Sequence, residues 1–294
     1  MAEVLDMGKQ WRNLWWPAPA KLNLMLRIIG KRDDGYHNLQ TIFQLLTVSD
    51  WLNFKLRDDD EIRLKDNCIG VNSAENLVLQ SVELLREKSG VKKGVDIQLK
   101  KILPMGAGLG GGSSDAATTL LVLNQLWGLG YTLQELAAMG ASLGADVPVF
   151  VLGETAWAEG VGEKLTPLAL PEPWFVIVNP PCHIATKEVF LNNHLTRDSS
   201  AITIRDFHEG QDRNDCLEVV RKMSKEVDET YDHFSKYNKV YLTGTGSSLF
   251  SKFQTRLEAV NILNKLPDSW DKWVVQGVNK SPLHSVLNKF SNQV

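Results

Sequence analysis

The stretch Pro104-Met105-Gly106-Ala107-Gly108-Leu109-Gly110-Gly111-Gly112-Ser113-Ser114-Asp115 decides how the chain is read, because five glycines within seven positions run straight into an apolar segment. Glycine at that density costs backbone entropy that an ordinary turn does not require, and it lets amide groups approach a ligand unobstructed. Ser113, Ser114 and Asp115 are N-cap candidates for a helix through Leu126, which Gly128 and Gly130 end. A bare-backbone loop feeding a helix N-terminus forms an anion cradle, and phosphate is its natural guest.

Two familiar phosphate-binding designs are tested first. Gly106, Gly108 and Gly111 satisfy G-x-G-x-x-G, the dinucleotide fingerprint. That fingerprint should follow a buried parallel strand, yet Val95, Ile97 and Leu99 alternate with Asp96, Gln98 and Lys100. No Gly-Lys-Ser/Thr follows the glycines either, so a Walker-type loop is absent. The loop belongs to a different design.

Working outward, Leu22, Leu24, Leu26 and Ile28 alternate with Lys21, Asn23, Met25 and Arg27, which predicts a strand with Lys21 and Asn23 on one face, off the core. Asp33-Asp34-Gly35 is turn chemistry, and residues 39–56 resume strand character. Residues 76–88 read as a helix and 95–99 as a strand. Thr132 and Glu135 form a capping-box pattern for a helix ending near Gly144. Residues 166–173, with three prolines, are the expected linker. Beyond it the pattern predicts a strand at 174–178, a polar stretch around 198–212, a long helix from about Asp215, a strand at 239–242, a helix near Leu257 and a strand near Trp273. Strands and helices mix in both halves, so the expected class is α+β in two layers. The expected division is an extension over 1–14, a domain carrying the glycine loop over 15–168, and a second domain over 169–294.

Composition narrows the function. Hydrophobic residues make up 43% and charged residues 23% of the 294, with a formal net charge of -3. Such a chain can bury a core, and it has no broad basic field for nucleic acid. Cys68, Cys182 and Cys216 are widely spaced, with no C-x-x-C pair, so neither a disulfide framework nor a zinc site is encoded and a reducing cytoplasm fits. No run approaches the ~20 apolar residues that span a bilayer. The expectation is a cytoplasmic protein without nucleic-acid or membrane partners, its assembly left open between monomer and weak dimer.

The loop resembles that of the GHMP kinase superfamily: P-x-x-x-G-L-G, two small residues, then two serines. The similarity extends to Pro17–Leu24 and to Leu242–Leu249, in the order that superfamily uses. Gly35-Tyr36-His37, Gly144–Pro148 and Arg213-Asn214-Asp215 resemble the branch whose acceptor is a cytidine-diphosphate-linked alcohol. The resemblance covers the chain from Trp16 to the C-terminal strand.

It implies a two-domain architecture: a first domain of the kind found in a small-subunit ribosomal protein, and a ferredoxin-like second one. The implied activity is transfer of a phosphoryl group from ATP, with Mg²⁺, to a small-molecule hydroxyl. By resemblance, Asp146 is the general base and Lys21 its cationic neighbour. Residues Pro104 to Ser114 and Lys101 hold the nucleotide. Asn23, Tyr36, His37, Thr186 and Phe190 hold the acceptor, with Tyr36 and His37 facing the base and Phe190 as the opposite wall. No metal ligand is implied.

Taken alone, the same residues read more plainly. Asp146 would be an N-cap ahead of Pro148, Lys21 and Lys101 surface lysines, Asn23 an exposed polar residue, Phe190 core, and Thr243–Ser248 a glycine turn. A sister kinase for homoserine, mevalonate or a sugar, an NAD-dependent oxidoreductase, and a non-catalytic nucleotide-binding module are the competing functions.

Overall fold

The structure, a computed structural model, describes residues 14–66 and 75–291. Cys68 and all of the expected extension except Leu14 lie outside these residues.

Two long strands, β1 (Trp15–Lys31) and β2 (His37–Arg57), form an antiparallel hairpin that turns at Gly35, where φ is +88°. Positive φ explains why glycine stands there. β3 (Ile62–Asp66) runs parallel to β4 (Gly94–Lys100), which pairs antiparallel with β2. β5 (Ala156–Gly160) and β6 (Lys164–Pro167) continue from the other end of β2. The second half contributes β7 (Trp174–Asn179), β8 (Tyr241–Leu242), β9 (Leu249–Phe253) and β10 (Asp271–Val278), in the order β10-β7-β9-β8. Gly277 and Val278 of β10 pair with Leu46 and Leu45 of β2, so one sheet path joins the halves.

Helices cover this sheet. α1 (Leu77–Ser89), α2 (Gly111–Trp127), α3 (Leu133–Gly140) and α4 (Val147–Leu152) lie in the first half. In the second half come α5 (Thr186–Leu191), α6 (Ile204–His208), α7 (Leu217–Met223), α8 (Lys225–Phe234) and α9 (Arg256–Leu263). α10 (Pro282–Ser291) closes the described chain. The α+β expectation holds.

α2 is buried almost all round, as expected of a helix packed between a sheet and other helices. Its Leu120 and Leu123 meet Trp16, Phe54, Val82 and Phe150 in the first core. Leu283 and Leu287 of α10 pack there as well, although the sequence reading placed that segment with the second half. A second core joins Val176, Val178 and Leu249 to Val220, Val227 and Phe234, and also takes Leu26 and Ile28 from β1. Between them, Leu22, Leu46 and Leu109 meet Phe175, Ile177 and Phe250. β1 thus feeds all three clusters and fastens the halves together.

Several expectations change. β1 is not half-exposed: Lys21, Asn23 and Arg27 are buried along with Leu22 and Leu26 opposite. Breaks of register at Pro19/Lys21, Asn23/Met25 and Ile28/Gly30 re-aim its side chains, and Met25 enters a separate cluster with Ile42 and Trp157. α2 begins at Gly111 with Gly110 as N-cap and no side-chain cap, so Ser113, Ser114 and Asp115 lie inside its first turns. α3 keeps its capping box but ends at Gly140. The long helix expected from Asp215 is two, broken at Ser224, whose backbone is extended and whose hydroxyl caps α8 by accepting from the Val227 amide. The polar stretch near 198–212 contains α6, held by a Thr203–Asp206 capping box.

Arg213-Asn214-Asp215 serves as a clasp. The Asn214 side-chain amide donates to the carbonyls of Leu242 and Gly244, each at 2.9 Å, while its oxygen accepts from the Cys216 amide. Asp215 accepts from the Ile28 amide at 2.8 Å and the Ser199 hydroxyl at 2.6 Å. Leaving even one of these buried carbonyls unpartnered costs about 1–3 kcal/mol. Asn214→Ala is therefore expected to lower unfolding free energy by about that amount in urea denaturation, with the fold retained; an unchanged midpoint would show that the clasp carries no energy.

Candidate active site

The glycine loop is shaped from behind. The Ala107 carbonyl accepts from the Ser248 amide at 3.2 Å, and the Gly108 carbonyl from the Thr243 hydroxyl at 3.0 Å. The Leu109 carbonyl accepts from the Lys21 amide at 3.0 Å. Three successive carbonyls are thus engaged by β1 and by the loop between β8 and β9. The amides of residues 106–110 donate to no protein acceptor among the described residues. Gly106, Gly108 and Gly110 all have positive φ, between +65° and +78°. At Gly108 a Cβ would lie 2.3 Å from the Thr243 carbonyl oxygen, so two backbones touch where no side chain fits.

This loop lines a cavity of about 840 Å³ that gathers most of the expected site. Lys21, Asn23, Tyr36, His37, Lys101, Asp146, Thr186 and Phe190 line it together with Pro104–Gly108, Gly110–Ser113 and residues 244–246. Two expected nucleotide contacts are absent from its wall. The Leu109 side chain plugs the core between the halves, and Ser114 is wholly buried. An apolar leucine anchors the loop at the point where its backbone must stay open.

Lys21 and Asp146 come together despite lying 125 positions apart in sequence. The Lys21 ammonium is 3.2 Å from Asp146 Oδ2, with the lysine side chain 3% exposed and the carboxylate 30% exposed to the cavity. It also donates to Asn23 Oδ1 at 2.5 Å and lies over the Phe43 ring. Asn23 is fixed in turn: its side-chain amide donates to Thr41 Oγ1 at 2.8 Å, and its backbone amide to Thr243 Oγ1 at 3.0 Å. Asp146 occupies the N-cap position of α4, as its local sequence suggests, yet makes no capping hydrogen bond. Its carboxylate faces Lys21 instead, so the tertiary partner overrides the local one.

At the far end, His37 and Phe190 stack on each other with centroids 5.1 Å apart and planes 24° apart. An inserted ring would need about 7 Å, twice the usual carbon contact distance. The two rings therefore stand as one stacked shelf, with no room for a base between them. Arg197 Nε–H donates to His37 Nε2 at 3.2 Å, so that nitrogen is an acceptor. Burial, then Arg197 and Lys31, hold the imidazole below its ordinary pKa. Tyr36 stands exposed at the mouth, and the Thr186 and Thr245 hydroxyls are hydrogen-bonded at 2.9 Å.

Lys101 is not a solvated lysine. It is bonded to Asp50 and, at 2.7 Å, to Asp115 Oδ2 beneath the start of α2. Sequence reading missed the parts of Asp50, Thr41 and Arg197, because isolated residues of those types carry no local signal.

A cavity lined by a glycine loop with open amides and by an ion pair is what a phosphotransferase of the GHMP class acting on a small molecule presents, and similarity to known proteins places the chain in that class. The family model described as GHMP kinases N terminal domain matches residues 76–154. The chain is 52% identical to 4-diphosphocytidyl-2-C-methyl-D-erythritol kinase of Methylococcus capsulatus over 93% of this chain and 94% of that one. It is 51% identical to the protein of the same name from Pseudomonas aeruginosa, over 92% and 96%. A crystal structure of 4-(cytidine 5'-diphospho)-2C-methyl-D-erythritol kinase superposes with a TM-score of 0.77 at 31% identity, covering 90% of this chain and 100% of that one. A mevalonate kinase structure, at 14% identity and TM-score 0.66, shares the fold. The chain belongs to the 4-diphosphocytidyl-2-C-methyl-D-erythritol kinase family.

Gly108→Ala tests the close approach of the two loops. A left-handed alanine costs about 1–2 kcal/mol, and the Thr243 carbonyl must also move. The expected outcome is weaker nucleotide binding together with a stability loss of at least about 1 kcal/mol; wild-type values for both would contradict this account of the loop.

Proposed function

We propose that this protein transfers the γ-phosphoryl group of ATP to the 2-hydroxyl of 4-diphosphocytidyl-2-C-methyl-D-erythritol, a step in non-mevalonate isoprenoid precursor synthesis. The observation that carries this reading is the Lys21–Asp146 pair, 3.2 Å apart in the cavity that also holds the glycine loop and the His37–Phe190 shelf. It favours a kinase over a non-catalytic nucleotide-binding module, which has no use for a carboxylate partly open to the cleft.

Phosphoryl transfer proceeds through a loose transition state, so positioning and charge stabilisation outweigh covalent chemistry. The loop amides and the start of α2 seat the polyphosphate. Asp146 accepts the proton of the acceptor hydroxyl, and Lys21 orients that carboxylate and balances charge growing on the acceptor oxygen. Asn23 and Thr186 hold the acceptor between the two ends of the cleft. The pyrimidine stacks on the His37–Phe190 shelf beside Tyr36, a contact worth roughly 1–3 kcal/mol per base.

Mg²⁺ is part of this proposal. Among the described residues no group of three or more side chains forms a metal cage. An ion bound with the nucleotide would be carried mainly by phosphate oxygens and water, with at most one or two carboxylates. Its chemistry is to neutralise phosphate charge. Among the described residues no helix is long and apolar enough to cross a membrane. A cytoplasmic setting with ATP and a diffusible acceptor completes the reading.

Asp146→Ala is expected to lower kcat by about 10²- to 10⁴-fold while nucleotide still binds, measured by coupled ADP release and by calorimetry. A variant keeping more than about a tenth of wild-type turnover would remove Asp146 from its role as base. His37→Ala should raise the KM for the cytidine acceptor and leave that for ATP unchanged. Because the folded-state pKa of His37 is depressed, its Nε2 stays unprotonated, and bonded to Arg197, down through the ordinary histidine range. The acceptor KM attributable to His37 should therefore be flat between pH 8 and about 6.5 and rise only under more acidic conditions. A rise centred near pH 7 that vanishes in His37→Ala would contradict this sign.

A further inference from the structure

Beneath the glycine loop two buried carboxylates and a largely covered ammonium come together where three elements meet. Asp50 of β2 is fully buried; its Oδ1 accepts from the amides of Ile102 at 2.5 Å and Leu103 at 2.8 Å, and its Oδ2 from Lys101. Lys101, just past β4, bridges to Asp115 Oδ2 on α2. Asp115 is 3% exposed, and its Oδ1 has no hydrogen-bond partner among the described residues. The cluster reaches the phosphate seat directly. A Cβ built on Gly111 would lie 3.1 Å from Lys101 Nζ and 3.2 Å from Asp50 Oδ2, and both Lys101 and Asp115 line the cavity.

Counting charges shows what this arrangement does. One ammonium against two carboxylates leaves a buried net charge of about −1, and a proton on Asp115 brings it to zero. An unpartnered buried carboxylate oxygen is costly when ionised and acceptable when it belongs to a neutral carboxyl. Burial pushes the Asp115 carboxyl up to about 7, with Lys101 pulling down and Asp50 pushing further up. Lys101 and Asp50 are the charged groups that act on it, and the apolar Leu77 of α1 lies against the same turn at Gly112. A polyphosphate seated on the loop adds several negative charges close by, which favours the protonated form.

We propose that the Asp50–Lys101–Asp115 cluster makes nucleotide binding proton-linked: Asp115 takes a proton from solvent when a polyphosphate seats on the glycine loop, so the buried charge beneath it is neutralised. Asp115 is thus a positioning residue for the nucleotide and not a catalytic one. This rests on the reading of the loop as the nucleotide seat. The proton transferred is the one lost by buffer, and no other reactant is required. Tighter nucleotide binding at lower pH follows, with Asp115→Asn held permanently in the neutral state.

Titration calorimetry of MgADP with the full chain at pH 8, in two buffers of different ionisation enthalpy, tests this. At that pH the free nucleotide is ionised, so the wild type should take up a large fraction of a proton on binding and Asp115→Asn should not. The ratio of wild-type to Asp115→Asn Kd should stay near one at pH 6 and grow on the order of tenfold by pH 8.5. Should Asp115→Asn fail to fold, Asp115→Ser takes its place in both measurements. Binding without proton uptake, uptake that survives the substitution, or a ratio flat across pH would each overturn the proposal while leaving the nucleotide seat intact. Failure of MgADP to bind at any pH would overturn both.

Discussion

The approach of two glycine-containing loops, with Gly108 set against the Thr243 carbonyl, is the constraint on which the site depends. It lets the carbonyls of residues 107–109 be engaged from behind by β1 and by the 243–248 loop. A polar group left unpaired inside a protein is expensive, so once the carbonyls are satisfied the amides are the groups left for a ligand. Leu109 makes the arrangement rigid by burying its side chain between the two halves. The loop is therefore a fitted part, glycine-rich on the ligand side and anchored by one large apolar residue.

The same economy governs β1. It supplies Leu22 to the middle core, Leu26 and Ile28 to the second core, Lys21 to the ion pair and a backbone amide to the loop. Its register breaks allow one strand to serve these directions. Burying Lys21 and Asn23 would be unfavourable without partners, and each has them: Asp146 and Asn23 for the lysine, Thr41 and Thr243 for the asparagine. The geometry of the ion pair and the stability of the fold draw on the same hydrogen bonds here, which ties the position of the pair to the joining of the halves.

Much of the fold was legible from local pattern. Long strands, the α3 capping box and the glycine stop of α2 follow from periodicity and from residues whose backbone preferences are strong. Errors concentrated where tertiary packing overrode the local signal. The alternation of β1 predicted an exposed face, but that face looks into a buried polar layer. Serines and an aspartate beside the glycines read as caps, yet Gly110 in a left-handed conformation starts α2 and draws them inside. The break at Ser224 has an extended backbone that no local charge or hydropathy pattern announces.

For the site, the sequence alone marked the glycine loop, since five glycines before an apolar helix carry a conformational cost that a simple turn does not require. It also marked Asp146 and Lys21 through resemblance, though each taken singly reads as a cap and a surface lysine. Only the tertiary structure decided that the two meet, that Leu109 and Ser114 turn away from the cleft, that His37 and Phe190 form one shelf, and that Lys101 is bound between Asp50 and Asp115. The reason is physical: backbone conformation is chosen by neighbours along the chain, whereas the environment of a charge is set by groups the fold brings from far away.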